Sequence, residues 1–140
     1  AKALLNNCQP WLEQAALAAF ITEGGYAEHL RRLRQSYAAR RDHLCAGISH
    51  GLPGWHCGGG GSGMHLVAHL PPQGPDAEAV EKLARTQGVG VYSIARGNAL
   101  LWNAGPDHPL RRVLLLGYAA LSQTEISEAL LRLRQAIGAH

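Results

Sequence analysis

The sequence contains few cysteines, few aromatic residues and no long apolar run. Cys8, Cys45 and Cys57 are odd in number and scattered, which favours free thiols in a reducing cytoplasm over a disulfide framework. No apolar stretch approaches the ~20 residues that a membrane-spanning helix needs, and the first residues lack the basic and apolar regions of a signal peptide. These absences predict a cytoplasmic protein that does not bind a membrane.

The composition is that of a globular domain. A chain of 140 residues with 46% hydrophobic and 16% charged residues can bury a core, and a net charge of +3 is too small to indicate nucleic-acid binding by itself. Residues 1–9 are mildly helical but begin without a cap. We therefore expect residues 1–140 to be one domain, a C-terminal piece of a longer protein. A helical arm and a long helix are expected over 1–50, and a sheet with covering helices over 51–140.

Hydrophobic periodicity predicts four helices, near residues 10–23, 26–50, 76–87 and 123–137. The longest carries one apolar stripe, formed by Leu30, Leu33, Tyr37, Leu44 and Ile48. The last begins with the capping-box sequence from Ser122 to Glu125, and Asp76 is placed to cap the third.

Alternating and β-branched residues predict strands near 64–70, 89–92 and 113–118 in one sheet. The sequence NALLWNAG, residues 98–105, is interpreted as a partial strand or a hairpin. Because two helices precede the first strand, a simple alternating βαβ chain is excluded. The predicted fold class is α+β: a small, three- to four-stranded, mainly antiparallel sheet with helices packed on one face.

A glycine run, Gly58 to Gly61, precedes Ser62-Gly63 and invites comparison with phosphate-binding loops. Such a loop needs a lysine beside its serine and a helix behind it, whereas here Met64 and a predicted strand follow. The run is better interpreted as a flexible entry to a hairpin.

Two histidines and a thiol near this run have the chemistry of a zinc site, and His65 and His69 share one side of the predicted strand. Four strand residues separate these two, about 13 Å, which is too far to share one ion. The glycine-rich bend brings Cys57 near one of them but not both, and His56 lies beside it. We therefore expect no metal site.

The long helix carries a basic run of His29, Arg31, Arg32, Arg34, Arg40 and Arg41. Glu28 and Asp42 interrupt it and no aromatic platform accompanies it, so we expect a solvated or docked face without direct nucleic-acid contact. Ser93 and Ser122 lie in no nucleophile motif, and no catalytic residue is expected.

The run QAALAAFITEGGYAEHLRRLRQSYAARRDHL is followed in order by GSGMHLVAHL, residues 76–88, GVGVYSI and VLLLGYAALSQTEISEALLRLRQAI. Together these segments resemble the C-terminal part of MocR-type transcriptional regulators, a branch of the GntR family, over nearly the whole chain. The resemblance implies the fold of the C-terminal small domain of fold-type I aminotransferases.

The resemblance also implies partners and a cofactor for the intact bacterial protein. Such regulators join an N-terminal winged-helix DNA-binding domain to a large domain that holds pyridoxal phosphate on a lysine and senses a small-molecule effector, usually as a homodimer. Lys2 and Lys82 lie outside any motif like that of the cofactor lysine, so no cofactor-binding residue is expected in this segment.

One position departs from the aminotransferase pattern. Aligning Leu116-Gly117-Tyr118 with the apolar-small-aromatic triplet of the family puts Leu115 where an arginine would grip the substrate carboxylate. Arg111 is expected on the same strand face, about 13 Å away. The resemblance therefore implies an effector-sensing module, not an enzyme, with the small domain of a genuine aminotransferase as the alternative. We predict that Leu115 faces the covering helices or the cofactor domain, not bulk solvent.

Overall fold

The computed structural model describes residues 10–59, 63–95, 105 and 107–138. Its helices are α1 (Trp11–Thr22), α2 (Gly25–Gly51), α3 (Ala77–Thr86) and α4 (Gln123–Gly138), with a short 3-10 helix at Pro109–Arg112. The strands are β1 (His56–Gly58), β2 (His65–His69), β3 (Tyr92–Ser93) and β4 (Val113–Gly117). The strand or hairpin predicted at NALLWNAG falls almost entirely outside the described residues.

The four strands form one sheet in the order β1-β2-β4-β3, and each neighbouring pair is antiparallel. In its register His56 pairs with His69, and Leu115 pairs with Val67 on one side and Tyr92 on the other. The predicted α+β fold with a small antiparallel sheet is therefore confirmed, and the sheet has four strands.

Two strand predictions need correction. β1 was not predicted, because a three-residue strand followed by glycines carries no alternating pattern. The strand predicted at 89–92 lies instead at Tyr92–Ser93. The amide of Val89 donates to Ala84 O at 2.9 Å, closing the end of α3, so pairing with β4 begins only at Tyr92.

The helix predictions are confirmed to within a residue or two at each end, and the predicted caps are present. Asp76 accepts a 2.8 Å hydrogen bond from the amide of Ala79 at the start of α3. Ahead of α4, the amide of Ser122 donates to Glu125 Oε2 at 2.7 Å, and the amide of Glu125 donates to Ser122 Oγ at 3.2 Å. This reciprocal box satisfies donors that a helix start leaves unpaired. Within the described residues, no helix has the length and apolar character needed to cross a membrane.

The chain divides into two compact units, Ala1–Ser36 and Tyr37–His140. The boundary lies inside α2 and not at its end, because Leu44 and Ile48 of α2 belong to the core of the second unit. In the first unit α1 buries no residue, and Trp11 is 73% exposed. The organisation of the whole chain as one domain stays a prediction.

The core of the second unit lies on one face of the sheet. Leu66, Ala68, Leu114 and Leu116 point to this face and are buried against side chains from three helices, Ile48, Val80, Ala84, Ile126 and Leu133. Gly47 of α2 makes room for Leu130 of α4, since a Cβ there would lie 2.4 Å from Cδ1 of Leu130. Helices α2, α3 and α4 thus cover one face of the sheet and leave Leu115 on the other.

Candidate functional site

The sheet face opposite the helices is called here the second face. Strand alternation and cross-strand pairing assign its side chains, because directly paired residues point to the same side. They are His56, His65, Val67, His69, Tyr92, Val113 and Leu115, with Gly58 and Gly117 between them. This face differs from the core face in carrying imidazoles and a phenol among its apolar residues.

Leu115 lies near the middle of the second face. It is half-buried and lies between its register partners Val67 and Tyr92, the latter 58% exposed. Of the two placements predicted for it, the register excludes the helix-covered face, to which Leu114 and Leu116 point. Its orientation toward a cofactor domain stays a prediction.

The position predicted for Arg111 is wrong. Arg111 lies in the 3-10 helix before β4, and its Nε donates to Gly105 O at 3.1 Å. Pro109, which suits the first turn of a helix, starts that helix and delays the strand to Val113. The structure therefore gives β4 no arginine of its own, since β4 reads VLLLG.

A buried carboxylate positions β3 beside β4. Glu81, on α3, is 4% exposed and accepts a 2.9 Å hydrogen bond from the amide of Ser93 and a 3.0 Å bond from Nη2 of Arg85. The Ser93 hydroxyl accepts in turn from the amide of Ala95. Sequence analysis missed this anchor. Its only sequence signal was the four-residue spacing of Glu81 and Arg85, which is typical of exposed helix pairs.

The candidate zinc residues divide between the two faces. His56 and His69 stack with ring centroids 4.8 Å apart and planes inclined by 7°, a pairing that sequence analysis missed with β1. Cys57 pairs with Ala68 and points to the core, where burial and the neighbouring Cys45 thiol raise the pKa of Cys57 to about 12. Within the described ranges, no three His, Cys, Asp or Glu residues lie close enough to hold a metal ion.

The described start of the glycine run ends a strand that pairs with the next strand, as the hairpin interpretation predicted, and residues 60–62 lie outside the described ranges. Gly58 ends β1, Gly59 has a φ of +106°, and β2 follows as the antiparallel partner of β1. A strand, and no helix N-terminus, therefore follows the glycines, which is unlike a phosphate-binding loop.

Three residues of the basic run, Arg31, Arg32 and Arg41, pair with nearby acids. Arg31 and Arg32 both donate to Glu28, and these bonds, that of Arg31 first, lower the pKa of Glu28 to about 2. The carboxylate of Asp42 raises the pKa of Arg41. The role of this face stays a prediction.

Arg40 donates to the carbonyl of Ala119, so it holds the segment after β4. Nearby, His43 Nε2 and Ser127 Oγ lie 2.7 Å apart and connect α2 to α4. In the described part of the chain no group hydrogen-bonds the other ring nitrogen of His43. The pair therefore lacks the orienting acid of a hydrolytic triad.

The described residues do not by themselves fit pyridoxal phosphate. Among them the only lysine is Lys82, an exposed residue of α3 in an open groove beside Glu78 and Arg85. A cofactor lysine needs an enclosed pocket with a phosphate cup and a partner for the pyridine nitrogen, and this groove supplies neither enclosure nor cup.

Comparison with known proteins places the chain in a family. The family described as "Aminotransferase class I and II" matches residues 6–133. The chain therefore belongs to the class I and II aminotransferase family.

Two curated relatives are regulators by name. One is the "Probable rhizopine catabolism regulatory protein MocR" of Rhizobium meliloti, 34% identical over 126 residues that make up 89% of this chain and 24% of that protein. The other is the "Uncharacterized HTH-type transcriptional regulator YdeL" of Bacillus subtilis, 27% identical over 125 residues, 88% of this chain and 25% of that protein. The resemblance to MocR-type regulators is thereby confirmed, and the chain spans about a quarter of the length of these relatives.

Among solved structures, LysN, an α-aminoadipate aminotransferase from Thermus thermophilus, superposes with a TM-score of 0.70 at 23% identity. The match covers 99% of this chain and 33% of LysN. At this identity the likeness confirms the fold and says nothing of substrate.

Proposed function

We propose that this chain is the C-terminal small subdomain of the effector-sensing, aminotransferase-like domain of a bacterial MocR-type transcriptional regulator. In the intact protein a preceding large domain would hold pyridoxal phosphate, and an N-terminal winged-helix domain would bind DNA. The intact protein would be a cytoplasmic homodimer that responds to a small-molecule effector. The subdomain would shape the effector site without contacting DNA.

Leu115 is the observation that carries this proposal. An arginine binds a carboxylate through two parallel hydrogen bonds, and an apolar side chain cannot replace that fork. The second-face neighbours of Leu115 in the register, Val67 and Tyr92, supply no cation either. A site built around these three residues would bind the carboxylate of an ordinary α-amino acid poorly, which disfavours transamination and favours a different ligand.

The exposed apolar surface of α1 supports the expected cover by a preceding domain. Trp11, Leu12, Leu17 and Ile21 are each more than half exposed on this helix. A helix that is apolar on all sides is normally buried. In MocR and YdeL three quarters of the protein lies outside the matched region, which is enough chain to supply that cover.

The test compares the intact protein with the isolated 140-residue chain. The intact protein, loaded with pyridoxal phosphate, should retard a fragment of its own promoter in a gel-shift assay and should not turn over α-amino acids. Rapid turnover with no gel shift would support the alternative, the small domain of a genuine aminotransferase.

The isolated chain should bind neither pyridoxal phosphate nor promoter DNA. Its titration with pyridoxal phosphate, followed by absorbance, should show only weak adducts, because Lys82 lies in an open groove without a phosphate cup. A saturable one-to-one adduct that maps to Lys82 after borohydride reduction would contradict the proposal that the preceding large domain holds the cofactor.

A further inference from the structure

The unpredicted strand β1 creates a histidine pair on the second face. His56 and His69 are register partners on adjacent antiparallel strands, and their rings stack with centroids 4.8 Å apart. His56 is exposed and His69 is half-buried, so the pair is accessible from this side of the described sheet. Neither residue belongs to the core or is required by the proposed effector site.

Gly58 leaves room for one of these rings. A Cβ built on Gly58 would lie 2.6 Å from Nε2 of His69 and 2.9 Å from its Cδ2, closer than side chains pack. The absence of a side chain at Gly58 therefore lets the His69 ring lie against the backbone of β1, beside His56.

The spacing of the rings suits one shared metal ion. Metal–nitrogen bonds of about 2.0–2.1 Å allow two donors on one ion to be at most about 4.2 Å apart. The χ2 torsion of histidine is broad, so both rings can turn out of the stack and direct nitrogens to a common point. The centroids, 4.8 Å apart, are close enough for such a turn to bring two ring nitrogens within that limit.

Two nearby residues, His65 and Cys57, could in principle be further metal ligands. His65 points to the same face as His69 but lies at the other end of β2, about 13 Å away at the rise of a strand. Cys57 points to the core, away from the two rings. The available donors are therefore two imidazoles, which suit nickel, copper and zinc and not the hard cations.

We propose that His56 and His69 form a two-imidazole site for a divalent transition-metal ion, with water in the remaining coordination positions. The site has no third protein ligand among the described residues, so its affinity is moderate and its open positions face away from the core. It depends only on β1 and β2 and not on the proposed regulatory function.

Calorimetric titration of the 140-residue chain with nickel chloride, in a non-chelating buffer at neutral pH, tests the site. We expect one saturable equivalent. His56→Ala and His69→Ala should each weaken binding by about tenfold or more, since even an outer-shell change costs about 10–100-fold in metal affinity. His65→Ala is the matched control, on the same strand and face, and should bind as the unaltered chain does. Cys57→Ser should also leave binding unchanged.

Three results would overturn the proposal: no saturable binding, unchanged affinity in either His56→Ala or His69→Ala, or equal loss in His65→Ala. Loss in Cys57→Ser would assign the ion to the thiol instead. Circular dichroism of each variant checks that the fold is intact. In addition, paramagnetic Ni²⁺ should broaden the imidazole proton resonances of His56 and His69 before those of His65.

Discussion

The two faces of the sheet share the same strands but carry different side chains. On the helix-covered face, Leu114 and Leu116 of β4 pair with Ala68 and Leu66 of β2 in a closed apolar core. On the second face, the intervening positions carry histidines, Tyr92 and the half-buried Leu115. The covered face supplies the helix–sheet core, whereas the second face is closed only in part, with Val113 buried and Tyr92 58% exposed.

This difference explains how a family fold can serve a regulator as well as an enzyme. Residues on the second face do not contribute to the helix–sheet core, so a change of side chain at position 115 should leave the packing of Leu114 and Leu116 intact. Function is carried by a site placed on the fold and not by the fold itself.

The largest expected contrast is between adjacent leucines of β4. Leu114→Ala should lower the free energy of unfolding by about 2–5 kcal/mol, because Leu114 is 0% exposed and its removal leaves a cavity. Leu115→Ala should cost about 1 kcal/mol or less, since burial of its side chain is only partial. Urea unfolding of both variants measures the contrast. Equal losses would mean that the second face is as closed as the core.

A smaller effect is expected at the carboxylate that anchors β3. Glu81→Ala should cost about 1–3 kcal/mol, because the buried amide of Ser93 loses its acceptor. Arg85→Ala is the control: it removes the ion pair but leaves the Ser93 hydrogen bond to Glu81 in place, so it should cost less than Glu81→Ala. If both variants lose the same free energy of unfolding, the ion pair with Arg85, and not the Ser93 hydrogen bond, accounts for the stabilisation by Glu81.

The smallest expected effect is a pH dependence confined to the start of α4. The amide of Ser122, and then its hydroxyl, hold the pKa of Glu125 below its ordinary value of 4.5. A lowered folded-state pKa contributes stability that is present above that ordinary value and is lost as the pH falls through the folded pKa. Glu125→Gln should therefore flatten the acid limb of stability below about pH 4.5, as followed by thermal unfolding across pH. An unchanged acid limb would contradict the role of the capping box.

The helices and their caps could be predicted from the sequence more completely than the strands. Helices and caps could be read from the sequence because the spacing of Leu44 and Ile48, or the Ser122–Glu125 box, is local. β1 could not, since its three residues are stabilised by pairing with β2, and that pairing is not encoded in local spacing. The His56–His69 pair depends on the same register and was missed with it.

The position of Arg111 could not be predicted either, because local spacing does not fix where β4 begins. The apolar run to its C-terminal side predicts a strand, but Pro109 and the bond from Arg111 to Gly105 O hold the preceding residues in a 3-10 turn. The position of Leu115 came from the resemblance and not from periodicity, and its chemical role is still a prediction.

The central claim, that Leu115 occupies the place of a carboxylate-binding arginine, is tested most directly by Leu115→Arg in the intact protein. Calorimetry with an α-amino acid should show clearly tighter binding than in the unaltered protein, because a guanidinium restores the bidentate partner of the carboxylate. Leu115→Gln, with a polar but uncharged side chain, is the matched control and should show no comparable gain. Unchanged affinity in Leu115→Arg, with the fold intact, would contradict the account of this site.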